Sequence, residues 1–256
     1  MYVKLRQWVF RFMATILLLI SLLLIIILYP SLSYANKTVF KNITIYHNAV
    51  IDTVFIQRVQ QALSIAQQSV MYSKKIELDI CLNDGSVYPS IIKAIRGKAF
   101  AWGFYNKVVL QGEIYAAQNY MDLNGYHWKL SELLAHEITH CMQFNHLGLW
   151  HSKPIANIPE WKWEGFAEYL SRKKNNEIQL ADQIQKYVNA NKDLWEIQFE
   201  DSTIAPLNYF LNAILVQYCL EIKKMSFDQL ITDTSNEADI NKEMMLWYQT
   251  NKQAFD

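Results

Sequence analysis

Ser131-Glu132-Leu133-Leu134-Ala135-His136-Glu137-Ile138-Thr139-His140 is followed one loop later by Glu160-Trp161-Lys162-Trp163-Glu164-Gly165-Phe166-Ala167-Glu168-Tyr169, and the rest of the chain is read outward from this pair. If residues 131–140 form a helix, His136 and His140 stand four apart, so both imidazoles leave one face about a turn from each other. Two neutral imidazoles so placed can grip one divalent metal, with room for a third ligand and a water. Glu137, one residue along, can reach a water on such a metal but is not placed to be the third ligand. The short pattern arises by chance in helices, and the second stretch is what supports it.

Three residues compete for the third position. His146 lies ten residues after His136, the spacing of the third histidine in H-E-x-x-H-x-x-G-x-x-H. That pattern needs glycine three residues after the second histidine, where the helix stops in a left-handed conformation. Position 143 is Gln, and the first glycine, Gly148, comes too late. His151 follows Gly148 and has no matching geometry. Glu164, near the start of a second helix after Pro154 and Pro159, fits best. Glu168 lies four residues on along the same face, where a carboxylate can receive an imidazole N–H and hold a ligating histidine in one tautomer. Glu160 reads as a favourable charge in the first helical turn. Gly165 leaves room for the two metal-binding helices to pack closely.

With these residues in view, the chain resembles the gluzincin zinc peptidases, the group that includes thermolysin and the zinc aminopeptidases. Glu164-Gly165-Phe166-Ala167 is similar to the Asn-Glu-Gly-Phe-Ala segment of the aminopeptidase branch, with Trp163 in place of Asn. The resemblance implies Zn²⁺ held by His136, His140 and Glu164, with Glu137 as general base in peptide-bond hydrolysis. It implies a zincin-like α+β fold with the zinc cleft between two lobes. Pro206-Leu207-Asn208-Tyr209 is similar to the segment whose tyrosine stabilises the oxyanion, which nominates Tyr209. Val108 to Gln111 looks like the edge strand that pairs with extended substrate, which nominates Val109 and Leu110. No Gly-x-Met-Glu-Asn amine-binding segment is present, so endopeptidase action is expected over exopeptidase action. A membrane-tethered zinc-binding protein without catalysis is the alternative, and Glu137 counts against it.

Ahead of this unit, Val39 to His47 alternates as a strand and Asp52 can cap a helix running to about Tyr72. Ile76 to Leu82 alternates again, Ser90 to Ile95 forms a short helix, and Phe100–Phe104 and Val108–Gln111 make two strands. After Glu160 the pattern is almost purely helical. A mixed α/β lobe, about residues 36–146, therefore precedes a helical lobe, about 147–256, with the histidine pair at the junction.

Lys4, Arg6 and Arg11 precede an uncharged apolar run from Phe12 to Tyr29. Residues 1–35 read either as a signal peptide cut after Ala35, in Ser33-Tyr34-Ala35, or as a membrane anchor. Both readings put everything after residue 36 outside the cytoplasm. Lys plus Arg balances Asp plus Glu at 24 each, with no basic stripe, so nucleic-acid binding has no support. The expected partners are a peptide or protein substrate, and a membrane if residues 1–35 stay attached. Cys81, Cys141 and Cys219 are too few and too far apart for a disulfide scaffold or a cysteine zinc site.

Overall fold

Alternating residues build the first sheet, but not as one long strand. In the computed structural model, which describes residues 2–173 and 179–251, the run expected as a single strand over Val39 to His47 folds back on itself. Lys41 takes φ +55°, and β1 (Asn36–Phe40) pairs antiparallel with β2 (Ile43–His47), Phe40 against Ile43. Ahead of them lies α1 (Tyr2–Leu28), whose Arg6–Leu28 stretch is long and apolar enough to cross a membrane. Asp52 caps α2 (Thr53–Ala66) by accepting from the Val54 N–H, and the helix ends about two turns before the expected Tyr72. Next come β3 (Leu78–Cys81), α3 (Tyr88–Arg96), β4 (Ala101–Phe104) and β5 (Lys107–Leu110).

The sheet order is β1-β2-β3-β5-β4. Strands β2, β3 and β5 run parallel, and the antiparallel β1 and β4 form the edges. This order corrects the substrate-strand expectation. Val109 and Leu110 belong to β5, which is hydrogen-bonded on both sides and fully buried. Their backbone groups are already used within the sheet. The free edge beside the cleft is β4, because the chain crosses from β4 back inward to β5 instead of continuing outward.

A three-stranded meander, β6 (Glu113–Tyr115), β7 (Tyr120–Leu123) and β8 (Tyr126–Lys129), follows where the sequence reading assigns no element. Its second turn is Asn124-Gly125, with φ +60° and +82°. Asn-Gly between two short aromatic-rich runs is a strong hairpin signal and could have revealed it. The chain then enters α4 (Leu130–Leu147), which packs on α2 and on the β4–β5 side of the sheet. Helices α5 (Glu160–Arg172), α6 (Leu180–Asn189), α7 (Leu207–Gln217), α8 (Phe227–Thr232) and α9 (Glu237–Asn251) make the second lobe. A small hairpin of β9 (Glu196–Gln198) and β10 (Ile204–Pro206) interrupts them. Gly165 does provide a close approach, but to α7 and not to α4. A Cβ there would lie 2.5 Å from the Asn212 carbonyl oxygen. The architecture is a mixed α/β lobe and a helical lobe, with an apolar helix at the N-terminus.

Candidate metal centre

Every residue of α4 from Leu130 to Phe144 is buried. A helix buried all round must satisfy its polar side chains internally, and three of them, His136, Glu137 and His140, face the cleft. Gly148, at φ +78°, ends the helix as the sequence requires. His136 and His140 leave the same face. Glu164, a turn into α5, meets them from across the groove.

The three metal-facing atoms form a nearly equilateral triangle. His136 Nε2 and His140 Nε2 are 3.2 Å apart, His140 Nε2 and Glu164 Oε2 3.2 Å, and His136 Nε2 and Glu164 Oε2 3.4 Å. A tetrahedral ion with bonds of 2.0–2.1 Å spaces its ligand atoms about 3.3 Å apart. The donor set is two imidazoles and one carboxylate, which suits zinc. The cluster matches the H-E-x-x-H zinc-binding geometry and is consistent with a gluzincin-type site. No protein-family model, curated protein or solved structure matches the chain, so the assignment stands on the geometry of these residues.

What holds the three candidate ligands is equally specific. The His136 Nδ1–H donates to Glu168 Oε2 at 3.0 Å, and the His140 Nδ1–H donates to Gln143 Oε1 at 2.8 Å. Each carboxylate or amide oxygen can only accept, so both imidazoles turn Nε2 toward the metal position. Gln143 Nε2 in turn donates to the Trp163 carbonyl at 3.1 Å, tying α4 to α5. Glu168 Oε1 accepts from Arg172 Nε, and Arg172 Nη1 bonds Glu132 Oε2 at 3.1 Å. Gln143, Arg172 and Glu132 were not singled out as supports by the sequence reading. Gln143 stands three residues after His140 and Arg172 four after Glu168, and that helical spacing was the available signal.

Charge follows from this packing. Burial pushes Glu168 up, but Arg172 and then His136 outweigh it and hold the carboxyl down at about 2. Burial pushes His136 down, and its hydrogen bonds to Glu164 and Glu168 overcome that to raise it to about 10. Glu164 is raised by burial but held well below the carboxylate range by His140 and His136. Glu137 is the exception. Burial raises it, and the two histidines and a hydrogen bond from the Gly103 N–H only partly oppose that.

The cleft has a volume of about 610 Å³ and is bordered by Ala101, Trp102 and Gly103 of β4, by Tyr126, Trp163 and Trp195, and by His136, Glu137, His140, Glu164 and Tyr209. The rings of Tyr209 and His136 stack at 5.8 Å with 4° between planes, and Trp163 stacks on His140 at 5.6 Å. His146, turned to the far end of α4, bonds Asp228 Oδ1 at 2.7 Å and stands apart from the ligand cluster. Glu160 lies in the first turn of α5 and pairs with Lys153 at 3.8 Å. The three cysteines are buried and unbridged.

Proposed function

We propose that the chain is an exported, membrane-anchored zinc endopeptidase. The observation that carries this reading is Glu137, a buried carboxyl beside the ligand triangle in an aromatic-walled cleft that runs along the free edge of β4. A site built only to hold metal has no use for that carboxyl. When bound, Zn²⁺ supplies Lewis-acid polarisation of a carbonyl and lowers the pKa of a water to about 7.

The chain's own residues supply the rest. Glu137, whose proton affinity burial raises, takes the attacking water's proton and passes it to the leaving nitrogen. Tyr209, held protonated by burial and by the acidic groups around it, donates to the developing oxyanion. The backbone of β4, unpaired by any strand on its cleft side and engaged there at the Gly103 N–H by Glu137, offers its remaining edge groups to an extended peptide, a mode that recognises main chain before side chain. Lys4, Arg6 and Arg11, at the N-terminal end of α1 ahead of its uncharged run, favour an orientation that leaves the cleft outside the cytoplasm.

The test pairs metal content with cleavage. Glu137→Gln should keep one zinc per chain and lose about 10²–10⁴-fold in rate, the usual contribution of a general base. Glu164→Ala should lose zinc, while His146→Ala should keep both metal and activity. N-terminomics on the purified wild type against Glu137→Gln reads the cleavage sites. A Glu137→Gln protein that cleaves at the wild-type rate sinks the assignment.

A further inference from the structure

The last turn of α1 is fastened to the domain that follows it. Tyr88 Oη, at the start of α3, donates to the Ile27 carbonyl at 2.8 Å, one of the C=O groups that a helix end leaves without an internal partner. Ile26 and Ile27 pack with Trp102 around the buried Tyr88 and Ile92. The link from α1 to β1 is tied as well. Pro30 is buried, Ser86 Oγ donates to the Ser33 carbonyl at 2.8 Å, and Tyr34 Oη donates to the Leu82 carbonyl at 2.8 Å. The Tyr34 ring lies 5.9 Å from that of Tyr46 and 6.1 Å from that of Tyr88. Cutting after Ala35 would remove Tyr34 and Ile27 from this cluster and expose Tyr88.

The attachment also sets the position of the cleft. Trp102 belongs to β4, and Arg96, at the end of α3, lies over its ring at 4.7 Å and lines the cleft. The nine residues of α3 rise about 13 Å, so the rim lies that far from the docked end of the apolar helix. Around the chain's exit Leu32, Val50 and Val87 are 65%, 97% and 63% exposed. Ile95, 51% exposed and seven residues after Tyr88, continues the apolar face of α3 toward the rim. Arg96 and Lys98 stand at the cleft rim and complement lipid phosphates.

We propose that α1 is a retained anchor, docked on α3, that holds the α3–β4 rim of the cleft on the bilayer surface, so that the site acts on polypeptides tethered to the same membrane. The substrate class rests on the peptidase reading above, and the placement of the cleft does not.

The test uses the full chain in vesicles of phosphatidylcholine and phosphatidylglycerol containing doxyl-labelled lipid. A fluorophore at Ile95→Cys is compared with one at Lys242→Cys on α9, the native cysteines being buried. Quenching at position 95 should exceed that at 242 at least twofold, and equal quenching overturns the placement. Intact mass of protein extracted from cell membranes should include residues 1–35, and a chain starting at Asn36 overturns the anchor. For the substrate class, one cleavable sequence is displayed on the vesicles about ten or about forty residues from its lipid tether. The near site should be cut at least as fast as the far one, and cutting of the far site alone overturns the substrate claim. Cleavage of neither, with position 95 still quenched, overturns the peptidase reading and the substrate class that rests on it, while the placement stands.

Discussion

Gln143 shows how one side chain serves two elements at once. Its oxygen fixes the ring of His140 and its nitrogen grips the Trp163 carbonyl, so the same amide orients a ligand and registers α4 against α5. In the sequence, position 143 mattered only as the place where a glycine was missing. Its positive role was hidden because Trp163 is twenty residues away and reaches it only across a helix pair. Glu168 was legible, since a carboxylate one turn from Glu164 shares its face. Its partners Arg172 and Glu132 form a buried chain of alternating charge that no local spacing displays in full. Replacing Gln143 with Ala should leave the fold intact by circular dichroism and weaken zinc binding about 10- to 100-fold, the usual cost of removing a support behind a metal ligand. Competition against a zinc chelator measures this. Wild-type affinity would show that packing alone orients His140.

At the scale of elements, the exchange of β4 and β5 decides which strand meets the cleft. Both were expected as strands, and both are. Strand periodicity does not tell an edge from an interior position, and only the structure shows that all four residues of β5 are buried. Gly103 is the local sign of the true arrangement. A Cβ at that position would lie 2.4 Å from the Glu137 carbonyl oxygen, so β4 can approach α4 only with glycine at the contact. Gly103→Ala must therefore push strand and helix apart. The expected cost is about 1–3 kcal/mol in a denaturant titration, typical of overpacking, together with a fall in kcat as Glu137 moves. A substitution that leaves both unchanged would mean that β4 is free to shift.

For the whole molecule, the metal position lies where two helices meet, His136 and His140 on α4 and Glu164 on α5. An ion that binds only the folded state stabilises it by mass action, about 4 kcal/mol at a free concentration a thousand times Kd. Chelation should lower Tm by about 8–16 °C for a chain of this size, and zinc should restore it. Proton competition sets the pH dependence. His136, raised to about 10 without metal, carries a proton at pH 7 that zinc must displace. Zinc affinity should therefore fall about tenfold per unit as pH drops through neutrality for each proton displaced. Calorimetry in buffers of differing ionisation enthalpy counts those protons, and zero release would refute the protonated state of His136.

The sequence by itself determined what helical periodicity and local chemistry can carry. That includes the two metal helices, the three ligands, the neighbouring Glu137, the support from Glu168 and the apolar N-terminal helix, because each is read from spacing or composition within a single helix: four residues between the histidines, and four between Glu164 and Glu168. Only the tertiary structure decided which strand borders the cleft, that Gly165 serves α7, that Gln143 and Arg172 brace the ligands, and where α1 is fastened. Those outcomes depend on contacts between residues far apart in the chain, whose pairing is selected by packing of the whole core and leaves no periodic trace in the order of amino acids.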